Sequence, residues 1–202
     1  MRRPLRSPLL LASSSPRRKE LLERAGYRTV LVPPGHETEA VRGENPRAHV
    51  LRQARAKALG AELGKASGIV LGGDTVVSLE GRILGKPGDA REAEAMLEEL
   101  MGRTHEVWSG LALVRSEGGR LLEGSLRSGA SCSRVRFGHI PGASLRDYLA
   151  GDEWRDKAGA YGIQGWAGGF ADLVEGSLDN VIGLPMELFA RLLEEVLGAP
   201  GE

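Results

Sequence analysis

Cysteine is almost absent from this chain. Cys132 stands alone, which excludes an internal disulfide framework and suits a reducing compartment. An excess of either charge is missing too: 27 lysines and arginines balance 27 aspartates and glutamates. No global basic field therefore exists of the kind that binds a nucleic-acid polymer or an anionic membrane, and any anion site must be local. Long apolar runs are missing as well, and none approaches the roughly 18 residues of a membrane span. Met1-Arg2-Arg3 has the charge of a secretory leader, but Pro4, Arg6 and Pro8 interrupt the segment, and its apolar run of about four residues is too short for a leader core. The expectation is a soluble cytoplasmic protein. Amides and lysines are scarce: Asn occurs only at 45 and 180, Gln only at 53 and 164, and five lysines face 22 arginines. That bias fits a thermophile or a G+C-rich genome. Each retained Lys, Asn or Gln is informative against it.

What is present suffices for a sizeable core: 202 residues, 41% of them apolar. Strand-like and helix-like stretches alternate without a repeat. Residues 9–12 and 27–32 read as strands, with a helix over 19–25 between them closed by Gly26. A helix is expected over 46–63, its apolar stripe formed by Val50, Ala54, Ala58 and Leu63. Residues 68–77 read as a buried strand broken by Gly72-Gly73, 78–84 as a turn and second strand, 90–101 as a helix, 106–114 and 131–137 as strands, and 145–149 as a helix start. A glycine-dense loop over 159–169, a short strand pair around 170–174 and a last helix over 185–197 complete the pattern. Such interleaving argues an α/β or α+β fold with a mixed sheet. No Ser/Gly linker marks a boundary, so residues 1–202 are taken as one domain.

Residues 11–22, LASSSPRRKELL, narrow the function most. A strand enters three serines and turns into a helix in which Pro16 takes the first position and Ser15 the N-cap. Helix-terminal N–H groups, serine hydroxyls and two guanidiniums form a cradle for phosphate, which Arg pairs with bidentately. A surface loop with two solvated arginines would show the same residues. In GGDTVV, the glycine pair opens the backbone beside Asp74 to a ligand or metal, and a carboxylate there can hold a divalent ion or deprotonate water. It can equally end the strand. Lys86, in LGKP, sits on a loop stiffened by Pro87 and reaches phosphate as a point charge. In DKAGAYGIQG, residues 156–165, three glycines expose the backbone around Lys157 and Gln164. Gln carries both a donor and an acceptor, which suits reading a nucleobase edge, while Tyr161 reads as a packed core aromatic.

Taken in order, LASSSPRRKELL, GGDTVV, LGKP, GRTHEVWSGLAL and DKAGAYGIQG followed by GSLDNVIGLP resemble the Maf family of nucleoside triphosphate pyrophosphatases. The resemblance runs from Leu9 to Leu197 and leaves out the first eight residues. It implies an elongated α/β fold: a mixed β-sheet with flanking helices forming two lobes around a deep cleft, related to the inosine triphosphate pyrophosphatases. It also implies hydrolysis of a nucleoside triphosphate between the α and β phosphorus, giving monophosphate and pyrophosphate, with Mg²⁺ or Mn²⁺. By motif position, Ser13, Arg17, Arg18, Lys57, Lys86 and Lys157 bind phosphate, and Asp74 accepts the proton of the attacking water. An acid after the second strand joins Asp74 in holding the metal. The family shows adjacent acids there, whereas this chain has Gly35-His36-Glu37-Thr38-Glu39; Glu37 is the choice and Glu39 the alternative. Asp-Thr in the central strand and Gln164 resemble the branch acting on dTTP and UTP, with Arg17, Thr75 and Gln164 setting base choice and modified pyrimidines within reach. A triphosphate carries about four negative charges, and charge developing on the leaving pyrophosphate calls for cations fixed beforehand.

Two other classes stay in view. A sugar nucleotidyltransferase also opens with a strand, a G/S-rich turn, an Arg and a Lys-Pro pair, but its Lys-Pro follows that turn closely and its Asp strand comes later. Here Asp74 precedes Lys86-Pro87. A non-catalytic, nucleotide-binding regulator of cell division would bind dTTP or UTP without needing Asp74. A homodimer is compatible with a domain of this size, and no feature of the sequence demands one.

Overall fold

The computed structural model describes residues 5, 7–39 and 41–198; residues 1–4, weighed above as a leader, lie outside them. Four leucine and alanine residues that are almost wholly buried form β1 (Leu9–Ala12), the expected signature of a strand covered on both faces. There follow α1 (Pro16–Arg24), β2 (Thr29–Leu31), α2 (Pro46–Leu59), β3 (Gly68–Leu79), β4 (Arg82–Leu84) and α3 (Ala90–Leu100). The second half holds β5 (Thr104–Glu117), β6 (Arg120–Leu121), β7 (Arg127–Phe137), α4 (Gly142–Ala150), β8 (Ala171–Glu175), α5 (Leu178–Ile182) and α6 (Met186–Gly198). Two 3-10 turns, Ala158–Ala160 and Trp166–Phe170, frame the glycine-dense loop expected over 159–169. The mixed α/β architecture is as the sequence indicated.

The eight strands found among the described residues form one sheet, ordered β2-β1-β3-β5-β7-β8, with β4 beside β3 and β6 beside β5. Among the described residues only the β1 pairings with β2 and β3 are parallel. Period-two alternation sends Leu9, Leu11, Ile69, Leu71, Leu111 and Leu113 to one face, against Leu22 of α1 and the apolar stripe of α6. Leu10, Ala12, Val70, Ala112 and Val114 take the other face, against Ala54 and Ala58 of α2. A third cluster, around Val77, Leu79, Val107, Val135, α3 and Trp154, packs the far end of the same long strands.

The cleft follows from the register. On one edge β3 is paired to β5 throughout, from Gly68↔Ser116 to Ser78↔Glu106. On the other, β1 pairs only as far as Ala12↔Gly72 and β4 takes over at Val77↔Leu84. Residues 73–76 therefore have no partner strand on that side among the described residues, and the sheet opens there beside Asp74.

Some expectations change. The second helix ends at Leu59 with Gly60 as C-cap, so Leu63 is buried but outside it. β3 is not broken at its glycine pair; it runs on for 12 residues. A Cβ at Gly72 would stand 2.7 Å from the Ala58 amide nitrogen, and one at Gly73 3.1 Å from Arg18 Nε. The close approach that those glycines permit is thus made by α2 and Arg18, not by a ligand. The strand pair expected around 170–174 is one strand, β8, antiparallel to β7. The five-residue α5, capped by Ser177, was not anticipated.

Candidate active site

The near rim is the turn from β1 into α1. Ser15 takes the N-cap position and Pro16 the first turn as expected, but the Ser15 hydroxyl caps nothing; its N–H donates to Ser13 Oγ at 3.2 Å. Ser13 Oγ also accepts from Arg18 Nη1 at 2.9 Å, while Arg18 Nε donates to the Gly183 carbonyl at 2.8 Å and Nη2 to Thr75 Oγ1 at 2.9 Å. Thr75 sits 2.9 Å from Ser109 Oγ, which donates to the Asn180 carbonyl. The Thr75 hydroxyl, expected to shape base choice, is thus taken up in holding Arg18. Arg18 is 7% exposed, and among the described residues no carboxylate lies within ion-pair distance of it. Burial lowers its pKa, with the field of Asp74 working the other way. A buried cation bonded only to neutral acceptors is costly until an anion meets it.

The second wall is α2. Asn45 caps it, accepting from the Ala48 N–H at 2.9 Å, and Val50, Ala54 and Ala58 lie buried along one stripe. His49, Gln53 and Lys57 recur at the same four-residue spacing and form a polar stripe alongside. Lys57 Nζ lies 2.8 Å from Asp74 Oδ1 and 2.8 Å from Glu37 Oε1. Lys57, expected to bind phosphate, stands between the two expected metal ligands. Gln53 pins the segment that carries Glu37, accepting from the Thr38 N–H at 2.9 Å and donating to its carbonyl at 2.8 Å. His49 places Nε2 3.9 Å from Asp74 Oδ2 and Nδ1 3.2 Å from Glu44, whose carboxylate Arg52 holds at 2.8 Å. The carboxylate of Glu37 is pulled below its ordinary range, first by the hydrogen bond and charge of Lys57 and then by the fields of Lys86 and His49. Both Glu37 and Glu39 are exposed, but Glu37 lines the cleft and Glu39 does not, so Glu37 is the acid brought to the site. Sequence reasoning gave no site role to His49 or to Gln53, although their spacing with Lys57 was there to be read.

The far rim is built from loops. Lys86 follows β4, and the Gly159 N–H donates to the Gly85 carbonyl at 3.0 Å, tying that loop to the 3-10 turn after Lys157. Tyr161 is 5% exposed with its hydroxyl 2.6 Å from His105 Nε2, a core aromatic as expected. The Lys157 ammonium meets Asp156 Oδ1 at 3.0 Å and donates to the Glu153 carbonyl. Its stem crosses Gly162, where a Cβ would stand 2.7 Å from Lys157 Cε. Arg17 Nη1 reaches over from the near rim to Asp156 Oδ2 at 3.3 Å. Three of the four amides in the chain are engaged structurally, at Asn45, Gln53 and Asn180. Gln164 is exposed in the cleft, and its side chain makes no hydrogen bond among the described residues.

One cleft of about 600 Å³ therefore gathers Ser13, Arg17, Arg18, Glu37, Lys57, Asp74, Thr75, Lys86, Lys157 and Gln164, together with His49 and Asp156. Cations on several sides and two carboxylates on one wall suit a polyanion whose breakdown needs a base. Residues 8–196 match the family model for Maf-like proteins. The chain belongs to the Maf family.

Curated relatives match nearly the whole length of this Maf chain. A dTTP/UTP pyrophosphatase of Pyrococcus furiosus is 37% identical over 187 residues, 92% of this chain and 94% of that one. One of Rhodospirillum rubrum is 46% identical over 181 residues, 89% and 83% of the two chains, and one of Geobacter sp. strain M21 is 44% identical over 196 residues, 96% and 98%. Among solved structures, a nucleoside-triphosphatase / dITP/XTP pyrophosphatase from Mycobacterium abscessus overlays with a TM-score of 0.39 at 20% identity, covering 67% of this Maf chain and 75% of that one. So remote a likeness carries no weight here. No cluster of three or more His, Cys, Asp or Glu placed to hold a metal occurs among the described residues of the Maf protein. Two carboxylates already converge on one cation, however, and a small divalent ion is commonly held by one or two carboxylates with phosphate oxygens completing its shell. The donor set fits an ion recruited with a triphosphate.

Proposed function

We propose that this Maf protein is a nucleoside triphosphate pyrophosphatase that hydrolyses dTTP and UTP to the monophosphate and pyrophosphate. The observation that carries the reading is Lys57 held between Asp74 and Glu37, in a cleft lined also by the buried Arg18, which meets no carboxylate among the described residues. The relatives named dTTP/UTP pyrophosphatase support it.

Lys57 occupies Asp74 Oδ1 and leaves Oδ2 to take a proton from water. The water oxygen bonds to the α-phosphorus, the bond from that phosphorus to the bridging oxygen breaks, and the electron pair leaves on pyrophosphate. Ser13, Arg17, Arg18, Lys86 and Lys157 bind the phosphates, and Lys57 adds its charge; one such fixed donor or cation is worth about 3 kcal/mol to the transition state. Glu37 and Asp74 would hold Mg²⁺ or Mn²⁺, which when bound supplies Lewis-acid polarisation of the phosphoryl oxygens. Gln164 can donate to O4 and accept from N3–H of a uracil or thymine ring, and it is the amide left free to do so. The setting this implies is the soluble nucleotide pool of the cytoplasm. No helix among the described residues is long and apolar enough to cross a membrane.

The test is purified protein with Mg²⁺ or Mn²⁺ and each triphosphate in turn, products followed by phosphorus NMR, with Asp74→Asn in parallel. Monophosphate plus pyrophosphate from dTTP and UTP is expected. Orthophosphate plus diphosphate, a product that requires a sugar phosphate, or binding without turnover would overturn the reading.

A further inference from the structure

Arg17 and Arg18 are neighbours in sequence and opposites in surroundings. Among the described residues no carboxylate meets Arg18, whereas Arg17 is paired across the cleft to Asp156, 139 residues away. Asp156 uses both oxygens: Oδ2 faces Arg17 Nη1 at 3.3 Å and Oδ1 faces Lys157 Nζ at 3.0 Å. All three side chains line the cleft, and the two cations are those that bind phosphate at its mouth under the pyrophosphatase reading, on which this inference rests.

We propose that Asp156 is an internal competitor for the phosphate site, occupying Arg17 and Lys157 in the free protein and retaking them to expel pyrophosphate. The Arg17 and Asp156 side chains are 31% and 56% exposed, and an ion pair so exposed is weak. The contact to Lys157 is less exposed, at 15% for the lysine, but a polyanion that meets both cations at once replaces the two contacts it breaks. Once displaced, that carboxylate stays tethered beside the ligand and repels it. The repulsion acts on triphosphate and product alike, but the product has no base to hold it against Gln164 and depends on its phosphate contacts alone. Burial raises the pKa of Asp156, but Lys157 and then Arg17 outweigh that and keep it below the ordinary value, so the competing charge is present at neutral pH.

The experiment is calorimetric titration with inorganic pyrophosphate in the presence of Mg²⁺, alongside dTTP kinetics. Asp156→Asn should tighten pyrophosphate binding on the order of tenfold and lower the inhibition constant of added pyrophosphate to match, with KM for dTTP falling less. Asp152→Asn is the control: it removes the same charge from the same loop, where Asp152 pairs with Arg155 outside the cleft lining, and should change neither. In an Arg17→Gln, Lys157→Met background the gain from Asp156→Asn should vanish. The proposal is overturned if Asp156→Asn with a wild-type melting temperature binds pyrophosphate no more tightly than wild type, or if its gain survives in that double-variant background. Asp156→Ser, smaller and also uncharged, carries the same expectation should the Asn variant fail to fold. Wild-type protein that binds pyrophosphate but turns over no triphosphate would overturn the enzymatic reading, whereas turnover with an inert Asp156 would overturn this one alone.

Discussion

The cleft has two walls of opposite construction. On one, Asp74 stands on a 12-residue strand and Lys57 on a helix laid so closely over it that Gly72 leaves no room for a side chain. Both are largely buried, and Gln53 ties in the segment bearing Glu37. On the other, Asp156, Lys157 and Gln164 rise from turns and loops, and Asp156 and Gln164 are exposed. Groups that move a proton need fixed positions, while groups that admit a substrate and release a product need freedom. Under the proposed pyrophosphatase reading, the difference between the walls divides the labour accordingly: chemistry on β3 and α2, recognition and release on the loops.

Substitutions can break or sharpen that division. Asp74→Asn should cut kcat for dTTP by about 10³-fold, measured as pyrophosphate release, with little change in melting temperature because Lys57 keeps Glu37. A loss below tenfold would move the chemistry off this wall. Lys57→Met leaves two carboxylates facing each other without their shared cation, and kcat should fall by about 10²-fold. Because Lys57 is the main reason Glu37 titrates low, its removal should also let Glu37 protonate at higher pH and shift the acid limb of the rate profile upward. An acid limb that stays in place would cut that link. On the loop wall, Gln164→Glu replaces a donor by a charge, and kcat/KM for dTTP should fall by about ten- to a hundredfold. Unchanged kcat/KM would take base reading away from this residue.

The smallest effect concerns how the loop wall is fastened to the sheet. Burial lowers the pKa of His105, the partner of Tyr161, from 6.5 to about 4. Between those values the folded protein binds fewer protons than the unfolded chain, so stability is complete above the upper value and is lost as pH falls toward the lower one. Denaturant unfolding should show a loss of about 2 kcal/mol between pH 7 and pH 5, reduced in His105→Gln. Equal losses in both proteins would show that His105 titrates normally and is not a buried anchor.

What the sequence revealed was local. The apolar run at residues 9–12, the serines, Pro16 and the helix after it all lie within a short window, and the preference of proline for the first helical turn predicts where the helix starts. The helical periods of α2 and α6 were legible for the same reason. The opening between β1 and β4 was not, because it depends on where two strands stop pairing with a third. The glycine pair misled for a related cause: α2 and Arg18, which crowd Gly72 and Gly73, come from elsewhere in the chain. Within the site, residue types were readable and pairings were not. Lys57 lies 17 residues before Asp74, and Asp156 lies 139 after Arg17, so neither ion pair has a local signature. The amide count did help, since three amides serve the fold and Gln164 is left over.

The central claim is that water, deprotonated on the rigid wall, attacks the α-phosphorus and expels pyrophosphate. Hydrolysis of dTTP in water enriched in oxygen-18 tests it most directly, with mass spectrometry of both products. The account predicts one labelled oxygen in the monophosphate and none in the pyrophosphate. Label in the pyrophosphate would place the attack on the β-phosphorus and contradict it.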